Sequence, residues 1–173
     1  MCGGILSVLK EIKVGKVIIG EQGEESEQYD EFCRIIKQKG IQVIVVKKGD
    51  IINVEQNLKI RVLFPGKDLI EDNILNNNSL VFKVEYKKFQ ILFTGDIEKI
   101  AEEDILNKYK NTNILKASIL KVAHHGSKTS SIEKFLDSVK PKIALIGVGQ
   151  NNKFGHPNEE VLERLIDLRN ENL

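Results

Sequence analysis

Apolar residues along this chain fall into short runs of strand length that alternate with stretches of helical period. Near the start, Ile5, Val8 and Leu9 follow Gly3-Gly4 at helical spacing, with Lys10, Glu11 and Lys13 around them. Val17 to Ile19 reads as a short buried strand ending at Gly20. A polar stretch leads into a clear helix whose inward residues are Tyr29, Phe32, Cys33 and Ile36, stopped by Gly40. Ile41 to Val46 is then a nearly continuous apolar strand. A strand-helix-strand opening predicts parallel pairing on a sheet covered by helices.

Further strands follow at Ile51 to Val54 and Leu58 to Phe64, closed by Pro65-Gly66. Lys67 to Asn78 reads as polar loop. A hairpin comes next, from Leu80 to Tyr86 and back from Phe89 to Thr94, with Phe82, Val84 and Tyr86 alternating with Val81, Lys83 and Glu85. After Asp96, a helix carries Ile97, Ile100, Ala101 and Ile105 as its inward stripe. Ser118 to Val122 is a strand. Ser130 and Glu133 then have the spacing of a capping box, at the head of a helix with Ile132, Phe135, Leu136 and Val139 on one side. Ile143 to Val148 is the last strand, and Pro157 occupies the place of a first helical residue, before Val161, Leu162, Leu165 and Leu168. No linker or internal repeat interrupts the pattern, so 1–173 is expected to be one domain of the α/β class.

Composition narrows the picture only a little. With 173 residues, 41% apolar and 29% charged, the chain is long enough to bury a core. A net charge of +1 supplies no broad basic field for clamping nucleic acid, although an enzyme that cuts it needs only a local patch. Cys2 and Cys33 lack metal-knuckle spacing and read as incidental thiols. No apolar stretch approaches the ~18 residues of a membrane-spanning helix.

The chemistry concentrates between Phe93 and Pro157. Three loops open there, each where an apolar run ends: Thr94-Gly95-Asp96, Ala123-His124-His125-Gly126-Ser127 and Phe154-Gly155-His156-Pro157. Every histidine of the protein lies in two of them. Aspartate and imidazole both offer lone pairs to a divalent metal near neutral pH, provided that the three strands end side by side. Each residue also has a plain structural reading: Asp96 as a helix cap, the histidine pair as backbone-bonded or surface groups, His156 as a turn residue.

Taken together, these stretches resemble the metallo-β-lactamase fold, and more closely the C-terminal hydrolase-like domain of ComEC-type competence proteins. The resemblance runs through Asn76-Asn77-Asn78-Ser79, Thr94-Gly95-Asp96-Ile97-Glu98, His124-His125-Gly126-Ser127-Lys128-Thr129-Ser130 and Gly155-His156-Pro157. It implies an αββα sandwich and a metal-dependent nuclease associated with DNA uptake and single-stranded DNA. It further implies a companion membrane channel and a place on the extracytoplasmic face of the bacterial membrane. By position, Asp96, His124, His125 and His156 match metal ligands, His124 as a direct ligand and His125 as a ligand or its support, with Asp96 and His125 at the reacting centre. Asn78, Ser79, Ser127, Lys128 and Lys153 fall where substrate or water would be met. The fold's His-x-Asp-x-Asp-His motif belongs just before Gly3-Gly4 and is not in this sequence. The resemblance therefore implies a partial sandwich lacking edge strands of its first sheet, a fragment of a longer domain, with impaired activity and at most one residual zinc or manganese site. Two other functions stay open: a hydrolase of an ester, lactone or thioester on the same fold, and a non-catalytic relic or interaction module.

Overall fold

The computed structural model describes residues 3–21 and 26–170, so Cys2 lies outside the described residues. The chain forms two compact units, Met1–Val46 and Lys47–Leu173, although no linker marks the boundary in the sequence.

The first unit holds helix α1 (Gly3–Glu11), strand β1 (Lys16–Gly20), helix α2 (Glu27–Lys39) and strand β2 (Gln42–Val46). β1 and β2 pair in parallel, as the strand-helix-strand pattern predicts. Ser26 caps α2 by accepting the Tyr29 N–H at 3.2 Å, and Gly40 ends the helix at φ +61°, a left-handed conformation that costs glycine little. The buried faces differ from the expected ones. α1 turns Leu6 and Leu9 inward and leaves Ile5 and Val8 exposed. α2 buries Phe32 and Ile35, while Cys33 is an exposed free thiol. A 3.6-residue period leaves neighbouring helix faces nearly equivalent in sequence, and only packing chooses between them.

The second unit is built on a six-stranded sheet in the order β3 (Ile51–Glu55), β4 (Leu58–Phe64), β5 (Val81–Tyr86), β6 (Phe89–Phe93), β7 (Ile119–Lys121) and β8 (Ile143–Leu145). Pairing is antiparallel from β3 to β6 and parallel from β6 to β8. Helices α4 (Lys99–Lys108), α5 (Glu133–Val139) and α6 (Glu159–Asn170) bring Ala101, Ile105, Phe135, Leu136, Val139 and Val161 into one core with Leu92 and Leu120 of the sheet and with Ile97, just ahead of α4. The register decides where the loops emerge. Phe93 of β6 lies beside Lys121 of β7, which lies beside Leu145 of β8, so three parallel strands end level with one another. Level strand ends on a parallel sheet are where α/β proteins collect functional loops.

Several local readings need correction. The stretch after Pro65 is not all loop, because Ile74–Asn77 forms a one-turn helix, α3. Ile100 is exposed, and Glu102 is buried on α4 alongside Ala101 and Ile105. The Ser130–Glu133 capping box does not form. The carboxylate of Glu102 takes the Ser131 and Ile132 N–H groups at 2.6 and 2.8 Å, while the Ser130 hydroxyl is shared between the Ala123 and Ser127 carbonyls. Pro157 precedes α6 rather than opening it, and Asn158 caps that helix by accepting the Glu160 N–H at 3.1 Å.

Candidate metal centre

The three loops at the level strand ends are stitched to one another by backbone contacts. The Thr94 hydroxyl donates to the Lys121 carbonyl at 2.6 Å, tying the end of β6 to β7. The His124 N–H donates to the Gly95 carbonyl at 3.1 Å, and the Asn158 N–H to the Gly126 carbonyl at 2.8 Å. Gly95 has φ +58°, and a Cβ there would lie 2.5 Å from the Ser79 Cβ. At Gly126, φ is +80° and a Cβ would lie 2.8 Å from the Pro157 Cβ. Both glycines are therefore required by close approach as well as by conformation. His124 and His125 also take left-handed conformations, φ +44° and +56°, so the chain reverses sharply between β7 and the segment that leads to α5.

That reversal presents the two imidazoles to different carboxylates. His125 Nδ1 meets the Gly147 carbonyl at 2.5 Å, and since a carbonyl only accepts, this nitrogen carries the proton. In a neutral ring the other nitrogen, Nε2, is then a lone pair, and it faces Asp96 Oδ1 at 3.4 Å. His124 Nδ1 lies 3.3 Å from Glu98 Oε1, and its Nε2 lies 3.4 Å from the Asn76 amide nitrogen. The His156 ring stands 5.8 Å from that of His124 in an edge-on arrangement. His124 Nδ1, His125 Nε2 and His156 Nδ1 are all buried without an aligned hydrogen-bond partner. Burial pushes the His156 pKa down, and the nearby His124 and His125 add to the shift.

Two acceptors facing each other call for a cation or a proton between them. Donors bound tetrahedrally at zinc distances lie about 3.3 Å from each other, close to the spacing of the Asp96–His125 and Glu98–His124 pairs. The residues thus suit a divalent ion pair by pair. No group of three or more His, Cys, Asp or Glu side chains among the described residues is gathered as a metal cage.

The expected site residues divide into those brought together and those spent elsewhere. Asp96, His124, His125 and His156 lie at the same strand ends as neighbouring pairs. His125 faces Asp96, while His124 is engaged by Glu98 and Asn76. Ser79 is adjacent, its hydroxyl accepting the Asp96 N–H at 3.1 Å. Asn78 is not available to substrate, because it is buried and its amide bonds the backbone of Ile70 and Ile74 three times. Ser127 is also buried, with its hydroxyl 2.9 Å from that of Thr129. Lys128 is exposed on an open cleft of about 450 Å³ that Asp72, Glu98, Lys99, Glu103 and Thr129 also line. Lys153 is exposed beside the His156 loop.

Glu98 is the main residue that the sequence reading passed over. Its carboxylate takes bonds from Thr129 at 2.8 Å and Asn73 at 3.1 Å, and its N–H donates to the buried Asn77 at 3.0 Å. Two residues beyond Asp96 on the same loop, it is the second acid able to reach the histidines. Lys121 was missed as well: half-buried, its ammonium has a lowered pKa because of burial, with Asp96 acting in the opposite direction.

Comparison with known proteins identifies the family. Residues 2–150 match the metallo-beta-lactamase superfamily. ComE operon protein 3 of Bacillus subtilis is 36% identical over 159 residues, which are 91% of this chain and 20% of that protein. Competence protein ComA of Neisseria gonorrhoeae is 37% identical over 90 residues, 52% of this chain and 13% of that protein. Recombination protein 2 of Haemophilus influenzae is 34% identical over 110 residues, 64% of this chain and 13% of that protein. The chain therefore spans a fifth or less of the length of these curated relatives. A crystal structure from Parabacteroides distasonis, of a protein named provisionally as a metal-dependent hydrolase, superimposes with a TM-score of 0.51 at 15% identity, covering 90% of this chain and 74% of the other. A family match over most of the chain and a relative 36% identical across 91% of it lead to one assignment: this chain belongs to the metallo-beta-lactamase superfamily.

Proposed function

We propose that this chain is a metal-dependent phosphodiester hydrolase module that acts on DNA within a longer DNA-uptake protein. One observation carries the reading: with Nδ1 spent on the Gly147 carbonyl, a neutral His125 turns its Nε2 lone pair toward the Asp96 carboxylate, an arrangement that a divalent cation would satisfy. Asp96 and His125 would hold the ion first, with the Glu98–His124 pair as a second place for it and His156 beside His124. Bound there, a divalent cation supplies Lewis-acid chemistry, polarising a phosphoryl oxygen and easing deprotonation of the attacking water. The protein's own part is to hold donors in place. Ser79 fixes the Asp96 backbone, Gly147 fixes the His125 ring, and Asn152 holds both the N–H and the carbonyl of His156. The competence and recombination relatives make DNA the natural polyanion.

A second reading has one observation in its favour. The cleft beside Glu98 carries three acidic residues against two lysines, which suits a small uncharged ester better than a polyanion. Manganese and zinc titration of the chain, with cleavage of single-stranded DNA and of a small ester run in parallel, separates the two. Uptake of about one ion, with DNA cleavage that Asp96→Asn abolishes, is the expected result. Ester turnover without any DNA cleavage moves the assignment to the second reading. No uptake at millimolar metal removes the hydrolase altogether.

A further inference from the structure

Phe154 is 81% exposed, while no other large apolar side chain among the described residues exceeds 59%. Singly exposed apolar residues are ordinary on protein surfaces. This one differs in standing on a braced loop beside the candidate centre. Its ring lies nearly parallel to that of His156, with centroids 5.9 Å apart and planes 20° apart, and its outer face is open to solvent. The loop beneath it is braced by Asn152, whose side-chain oxygen accepts the Phe154 and His156 N–H groups at 3.3 and 2.9 Å. The amide of Asn152 donates in turn to the His156 and Gly149 carbonyls at 2.7 and 3.3 Å. Exposed Lys153 immediately precedes the ring.

We infer that Phe154 is a stacking platform for one unpaired base of a single-stranded nucleic acid, with Lys153 meeting an adjacent phosphate. The inference rests on the phosphodiesterase reading and deepens it by naming the side chain that meets a base of the substrate. Stacking tolerates any base because each has a π face, and it needs a base that is out of a duplex. It also suits a protein with a net charge of +1, which has no broad positive field to hold a polyanion. Affinity drawn from one stacked base and about one phosphate contact should depend weakly on salt, with a log–log slope of roughly −0.7.

The test is fluorescence anisotropy with a labelled oligothymidylate and a matching abasic oligonucleotide, in chelator so that no cleavage occurs. Phe154→Ala should weaken oligothymidylate binding about 5- to 100-fold, and Phe154→Trp should preserve it. The abasic strand should bind the unaltered protein as weakly as oligothymidylate binds Phe154→Ala. If the unaltered protein binds both strands equally, or if Phe154→Ala binds like the unaltered protein, stacking is overturned while the nucleic-acid reading stands. If the unaltered protein binds neither strand, the nucleic-acid reading fails and the inference with it.

Discussion

Two polar clusters lie within the second unit, and they handle charge in opposite ways. On β4 and β5, Lys59, Arg61 and Lys83 surround Glu85 at 3.5 to 3.7 Å, donors facing an acceptor. Buried Lys83 also donates hydrogen bonds to the Ile114 and Lys116 carbonyls at 2.6 and 3.3 Å. Its pKa is lowered by burial, with Glu85 pulling the other way. At the level strand ends, the histidines instead leave three buried nitrogens unbonded, one of them a lone pair turned toward a carboxylate. Glu85 Oε2 is itself buried without an aligned hydrogen bond, so the clusters differ not in being closed or open but in what each acceptor faces: cations around Glu85, a carboxylate before the His125 ring.

Four substitutions can break or sharpen that contrast. Asp96→Ala should lower cation affinity by about a thousandfold or more, about 4 kcal/mol, while thermal unfolding of the metal-free protein moves little. Calorimetric titration reads the first and a melting curve the second, and a large drop in melting temperature would place Asp96 with the structural cluster. Lys83→Met should do the reverse. Losing one member of a buried pair costs about 3 kcal/mol in urea unfolding, and metal uptake should stay as it was.

Glu102 gives an intermediate effect with a pH signature. Burial pushes its carboxyl up to about 7, against the bonds from Ser131 and Ile132 and the nearby Arg164, with Glu103 adding to the rise. Because the folded-state value is raised, its contribution is full below the ordinary carboxyl range and is lost as pH rises through about 7. The unaltered protein should therefore lose ~3 kcal/mol relative to Glu102→Gln between pH 4.5 and 8, measured by denaturant melts. Parallel pH profiles for the two proteins would show that Glu102 is ionised throughout. The smallest effect is Ser79→Ala, which removes one hydrogen bond to the Asp96 N–H and should weaken cation binding by about 1 kcal/mol, roughly fivefold.

Much of this was legible in the chain. Apolar runs followed by Gly-Asp, His-His-Gly and Gly-His-Pro placed β6, β7 and β8 and the loops after them, because strand length and turn chemistry are local properties. What sequence could not supply was partner choice at a distance. Ser130 and Glu133 have capping-box spacing, yet Glu102 on another helix takes the N–H groups. Asn78 looked like a site residue beside Ser79, but its amide braces the Ile70 and Ile74 backbone. Alternation along β5 was visible, but not that Val81 and Lys83 lie on its more covered face. The order of His124 and His125 depends on which way two left-handed residues turn, and no periodicity encodes that.

Those two backbone angles have a practical corollary. Histidine is held at φ +44° and +56°, where glycine or asparagine would sit at less conformational cost, roughly 1 kcal/mol per position. Selection for heat resistance alone should replace these imidazoles early, and the hardiest descendants of this protein would be its least competent ones.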